Sequence, residues 1–97
     1  VFLEISAISI HFQGGPLAGK TMEFDVHFQS ANTVNVMIPA SQKGLADSLV
    51  PGTRLDNIQC YSPITVFRST GTVSGAAKIK QGPRQGDYTL DITIDAD

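Results

Sequence analysis

The chain has 97 residues, of which 41% are hydrophobic and only 16% charged, so it has room for one domain with one core and a surface poor in solvating charge. A net charge of −2, with seven scattered Lys and Arg, excludes an intrinsic nucleic-acid binder, which needs clustered cations to neutralise phosphates. No run approaches the ~20 apolar residues of a membrane-spanning helix, and the low charge leads us to expect a partner over part of the surface.

The opening Val1-Phe2-Leu3-Glu4 has no basic leader, no cleavage pattern and no initiator Met, so a fragment of a longer protein, or a processed one, is expected. Leu3 and Ile5 are out of phase with Ile8, which predicts a bulge near Ala7 or a separate short strand. Ile8, Ile10 and Phe12 then alternate with polar residues. After the Gly- and Pro-bearing loop Gly14–Gly19, Met22, Phe24, Val26 and Phe28 alternate with Glu23, Asp25 and His27. Matching the apolar faces predicts a hairpin with Ile10 opposite Phe24 and Phe12 opposite Met22.

A third strand is expected after the turn Ser30-Ala31-Asn32, with Val34, Val36 and Ile38 on one face and Pro39 ending it. Residues 43–50 predict a short helical turn, with Leu45 and Leu49 at i, i+4 spacing covering a barrel end. Pro51-Gly52 marks a turn into a strand from Arg54 to Tyr61. Ile64 to Thr70 supplies its partner, with Ile58 opposite Phe67 and Cys60 opposite Thr65. Pro63 then falls at the second corner of a tight turn, which predicts either a wider loop or a cis Ser62-Pro63 bond. In the last hairpin QGPRQG (Gln81 to Gly86) turns between Ala77-Ile79 and DYTLDITID, so Ile79 should neighbour Tyr88 on a buried face shared with Leu90, Ile92 and Ile94. The outer row of Asp87, Thr89, Asp91, Thr93 and Asp95 reads as a solvated strand face. The whole predicts an all-β fold, a small antiparallel split β-barrel of about six or seven strands, with a two-sheet sandwich as the alternative.

Catalytic and ligand chemistry finds little to use. Cys60 pairs with neither His11 nor His27, because it lies in the apolar phase and they lie in the polar one; a buried core thiol is expected. A single cysteine forms no internal disulfide, which suits a reducing cytoplasm. His11, Glu23, Asp25 and His27 share a polar face, but two imidazoles there make a solvated surface rather than a tetrahedral metal site. GGPLAGK (Gly14 to Lys20) departs from the G-x-x-x-x-G-K-S/T spacing of a phosphate-binding loop and no helix follows it. Asp87, Asp91 and Asp95 do not form an acid pair across a cleft, and Arg54, Arg68 and Arg84 sit on separate segments. The chain is therefore expected to carry no catalytic, cofactor-binding or metal-ligating residues and not to be an enzyme.

From Gly44 onward, GLADSLVPGTRLDNIQCYSPITVFRSTGTVSG resembles the N-terminal domain that precedes PilZ domains in flagellar-brake (YcgR-like) proteins of bacteria. The resemblance rests on order and spacing: a strand ending in proline (Val36-Met37-Ile38-Pro39), then Leu49 and Gly52, then an aromatic-Arg-Ser-Thr strand (Phe67-Arg68-Ser69-Thr70) with Val73 and Gly75 after it. It implies a cytoplasmic, non-enzymatic regulatory domain of a cyclic di-GMP effector, positioned beside an adjacent PilZ domain and contacting a protein target such as the flagellar motor. The PilZ signature, an RxxxR linker followed by Asp or Asn in x-S-x-x-G context, does not occur in these 97 residues, so cyclic di-GMP is expected only on the adjacent domain. A PilZ domain lacking its signature, a structural β-barrel subunit of a secretion, tail or surface assembly, and a barrel enzyme or small-ligand carrier are the rival expectations.

Overall fold

Alternation of apolar and polar residues produces seven strands, β1 (Ala7–His11), β2 (Thr21–Asp25), β3 (Phe28–Ser30), β4 (Thr33–Ile38), β5 (Arg54–Tyr61), β6 (Val66–Lys78) and β7 (Tyr88–Ile94). These come from a computed structural model, which describes residues 3–95. They form one antiparallel sheet in the order β2-β1-β5-β6-β7-β4-β3. The two margins of that sheet, β2 and β3, are consecutive in the chain. At the corner between them the Val26 N–H donates to the Ser6 carbonyl (3.0 Å) and the His27 N–H to the Asn35 carbonyl (2.7 Å), so neighbouring residues bond to opposite margins. The sheet thereby curls into a split barrel.

The inward phase supplies the core: Ile8 and Ile10 from β1, Val34, Val36 and Ile38 from β4, Ile58 and Cys60 from β5, Val73 from β6, and Leu90 and Ile92 from β7 are all fully buried. Each buried aliphatic side chain contributes about 1.5–3 kcal/mol by leaving water. Pro39 ends β4, and a 3-10 turn over Ala40–Gln42 leads into α1 (Lys43–Ser48). Leu45 and Leu49 are buried against the barrel end, as their spacing predicts, while an exposed Lys43–Asp47 ion pair (2.8 Å) lies on the solvent side. Leu49 N–H closes the last turn on the Ala46 carbonyl, after which Pro51-Gly52 forms the expected turn with Gly52 at φ +98°.

Several expected registers shift. In the first hairpin Ile8 lies opposite Phe24 and Ile10 opposite Met22, two residues away from the matching proposed from the sequence. The loop closes early, with Phe12 N–H on the Lys20 carbonyl (2.9 Å) and Gly19 N–H on the Phe12 carbonyl (2.7 Å), and a two-residue slip leaves the buried face intact. Ile5 is buried out of phase with Ile8, but among the described residues no separate strand precedes β1 and its pairings run without a register shift at Ala7, unlike the expected bulge or short strand. Phe28 does not continue the face of Phe24, because the corner at Val26-His27 breaks the alternation and leaves its side chain 58% exposed.

In the next hairpin Cys60 faces Phe67 and Ile58 faces Ser69, again a slip of two. Ser62 N–H bonds to the Thr65 carbonyl (2.9 Å), which moves Pro63 to the first corner, where its φ is favoured; no cis peptide bond occurs among the described residues. The expected strand at Ile64–Thr70 and the one holding Ala77 are a single long β6. It bulges between Val73 and Gly75; Tyr88 lies opposite Lys78 rather than Ile79, and the Ile79 N–H donates to the Asp87 carbonyl instead (2.8 Å). Tyr88 is only half-buried. At Gly71 the backbones of β6 and β7 come so close that a Cβ would lie 2.8 Å from the Thr93 carbonyl oxygen.

Candidate functional site: a polar recess and an apolar rim

β5 carries one more residue than β6 between two matched pairs, Leu55 opposite Gly71 and Ile58 opposite Ser69. The bulge puts both Asp56 and Asn57 on the exposed side of the strand. Beside them a recess of about 300 Å³ opens on the outer face of the sheet. Its walls are Ser9, His11 and Thr21 from the first hairpin and Gln59, Arg68 and Ser69 from the second, with Ile58 below. The registers explain the convergence: Ser9 faces Gln59, and Gln59 faces Arg68, so their outward side chains form one row across β1, β5 and β6.

Two of the three arginines are engaged elsewhere. Arg54 pairs with Asp95 (2.9 Å) and donates to Thr72 (3.0 Å); Arg84 pairs with Asp87 (2.5 Å). Arg68 forms no ion pair and no side-chain hydrogen bond with any described residue. Asp56 approaches only Arg54, at 3.9 Å, whose guanidinium Asp95 already holds. His11 has its Nδ1 2.9 Å from the Thr21 hydroxyl, which orients the ring and leaves Nε2 without a partner among the described residues. His11 and Asp56 also border a second recess of about 310 Å³, bounded by Gly14, Gly15, Ser48, Thr53 and Arg54 with Phe12, Leu49 and Leu55.

At the other end of β1 and β5 the surface is apolar. Ile64 is 81% and Val66 51% exposed at the β5–β6 turn, beyond Tyr61, whose carbonyl accepts the Ser6 N–H (2.8 Å). An open groove of about 630 Å³ between the N-terminal segment and β3 is lined by Glu4, Ser6, Val26 and Gln29 with the exposed Phe28, and the exposed Leu3 precedes it in the chain. The Gln29 side chain ties these together, accepting from Ile5 N–H (2.8 Å) and donating to the Leu3 and Ala31 carbonyls (3.0 and 2.8 Å).

The residues weighed for chemistry fall as follows. Cys60 is 0% exposed, and burial pushes its thiol up to about 11, so it lies in the core on the opposite side of the sheet from His11. The expected first-hairpin register would set His11 opposite Glu23; the slipped one puts Thr21 there and Ser9 opposite Glu23. His27 stands at the barrel corner with its ring edge-on to Phe28. Among the described residues no three metal-ligating side chains converge. The glycine loop contributes Gly14 and Gly15 to the second recess.

The row on β7 is a hydrogen-bonded network rather than a plain solvated face. The Arg84 guanidinium and the Ala40 N–H hold the Asp87 carboxyl below its ordinary value, and Arg54 with the Thr70 hydroxyl does the same for Asp95. Between them Asn35, only 3% exposed, donates to Thr89 (2.6 Å) and Asp91 (2.8 Å), and the Thr33 and Thr93 hydroxyls meet at 3.1 Å. Asn35 was not singled out from the sequence. Its signal was a lone amide in a β-branched strand whose outward neighbours on β7 are all Thr and Asp.

No family model, curated protein or solved structure matches the chain. No helix among the described residues is long and apolar enough to cross a membrane.

Proposed function

We propose that this chain is a non-enzymatic interaction domain, working in the cytoplasm beside a cyclic di-GMP-binding PilZ domain in bacterial motility or surface-behaviour signalling, with the flagellar motor as a candidate target. The observation that carries the interaction role is the set of exposed apolar side chains: Ile64 and Val66 stand in water at the β5–β6 turn, and Leu3 and Phe28 are exposed beside the N-terminal segment and β3. Large aliphatic side chains so exposed on a chain this low in charge favour a surface that a protein partner covers. The adjoining PilZ domain rests on the order and spacing of Pro39, Leu49, Gly52 and Phe67-Arg68-Ser69-Thr70.

The coding sequence around the chain tests the second half of the proposal, because a PilZ signature should follow shortly after Asp97. Calorimetric titration tests the division of labour. Cyclic di-GMP should give no binding heat with the 97-residue chain and saturable binding with the longer polypeptide; tight binding by the chain alone, or a gene without the signature, would overturn it. In light scattering a defined ring of this chain would instead favour a structural subunit.

A further inference from the structure

The recess over the β5 bulge has the chemistry of a small-ligand site separate from the apolar rim. It contains a guanidinium with no partner among the described residues, a carboxylate left largely open, and the neutral amides and hydroxyls of Asn57, Gln59 and Ser9. Such groups both donate and accept, whereas Asp56 only accepts, so a complementary ligand must bring O–H or N–H donors as well as an anion. Its volume of about 300 Å³ lies at the small end for ligand sites and suits a single ring rather than an extended chain.

Along the row that lines the recess Ser9 pairs with Gln59 and Gln59 with Arg68, so a ligand lying on this outer face meets side-chain groups rather than ladder N–H and C=O groups. We propose that this recess binds a small polyhydroxylated anion, a sugar acid or a sugar phosphate, with Arg68 taking the charged group and Asp56, Asn57 and Gln59 the ring hydroxyls. The guanidinium presents paired N–H donors that match a carboxylate or phosphate bidentately. The Thr21–His11 contact holds the imidazole at the mouth of the second recess, where a substituent on the ring has room to continue.

The test is amide chemical-shift titration of the 97-residue chain with glucuronate, glucose 6-phosphate, glucose, acetate and inorganic phosphate. One of the two anionic sugars should move Ser9, Asn57, Gln59 and Arg68, and bind about tenfold or more tightly than glucose and than the matching simple anion. Which of the two binds distinguishes carboxylate from phosphate recognition. Arg68→Gln should remove the preference over glucose, Arg68→Lys should restore part of it, and Asp56→Asn should weaken the anionic sugar and glucose alike. Arg68 and Asp56 are exposed, so these variants should keep the wild-type spectrum elsewhere. The proposal is overturned by unchanged spectra with both anionic sugars at about 10 mM, by equal responses of wild type and Arg68→Gln, or by inorganic phosphate or acetate binding as tightly as its sugar. None of these outcomes bears on the rim or on cyclic di-GMP.

Discussion

The tight approach of β6 to β7 at Gly71 gives a sharp test of the fold. An alanine Cβ at Gly71 would lie 2.8 Å from the Thr93 carbonyl oxygen, 3.1 Å from Ile58 Cδ1 and 3.3 Å from Ile92 Cγ2. The two side-chain atoms belong to fully buried isoleucines, and the oxygen belongs to β7, which β4 and β6 hold from both sides. None can swing away, so relief requires β6 and β7 to part. Overpacking of this kind costs about 1–3 kcal/mol, and a fixed backbone atom puts Gly71→Ala near the top of that range. Restricting the unfolded chain returns about 0.4–1 kcal/mol, leaving a net loss of about 2 kcal/mol. For a domain of this size that lowers Tm by about 8–16 °C. Gly14 is the control: it has no atom within 4 Å of a Cβ, so Gly14→Ala should be neutral or slightly stabilising. Urea unfolding with an unchanged slope would measure both. Equal midpoints for the two variants would refute the β6–β7 packing described above.

Three further outcomes are expected. Asp87 and Asp95 have folded-state carboxyls below the ordinary 3.8, so their contribution is present above that value and is lost as pH falls through the lower folded one. Thermal melts from pH 6 to pH 2 should show an acid limb that flattens in Asp87→Asn with Asp95→Asn; an unchanged limb would contradict the assignment. Asn35→Asp sets a buried carboxylate against Asp91, where the amide now donates at 2.8 Å, and should cost about 3 kcal/mol at pH 7. Repulsion raises the pKa of the introduced acid, so the loss should grow as pH rises above ordinary carboxylate values and shrink near pH 4; a pH-independent loss would count against it. Cys60, buried and with its thiol near 11, should resist an aromatic disulfide reagent at pH 8 until urea unfolds the chain, whereas rapid labelling of the folded protein would place it on the surface.

Period-2 alternation made the strands and their buried faces legible, because the side chains of Ile8, Ile10, Val34, Val36, Leu90 and Ile92 leave water only if each strand takes one orientation. Register was less legible, since a slip of two preserves the same face; the loop decides it, and Pro63 favours the first corner over the second by its own φ. The switch at Val26-His27 was hidden for a different reason. An unbroken run through Phe28 satisfies local alternation, and only the closure of the sheet, a contact between its two ends, bends the chain there. The proposed site was the least legible part. Arg68 looked like one of three scattered arginines until Asp95 and Asp87 were seen to occupy the other two.

The departures from regular pairing are where this fold gains surfaces that a uniform barrel lacks. The extra residue in β5 exposes Asp56 and Asn57 together beside a recess on the outer face of β1, β5 and β6. The corner after β2 turns Phe28 outward and leaves the N-terminal segment to be held by the Gln29 side chain. The bulge after Val73 lets β6 continue past Gly75 and pair on to Lys78, and the same sheet face carries the Asn35–Asp91 network. Each irregularity interrupts ladder hydrogen bonds or apolar alternation, which a chain with one small core retains at some cost in stability. The polar recess and the apolar rim lie at two different irregularities joined by β1 and β5. A charge change at Arg68 and an apolar-to-charged change at Val66, two residues earlier on the same outward phase of β6, should therefore separate ligand binding from partner binding while leaving the core untouched.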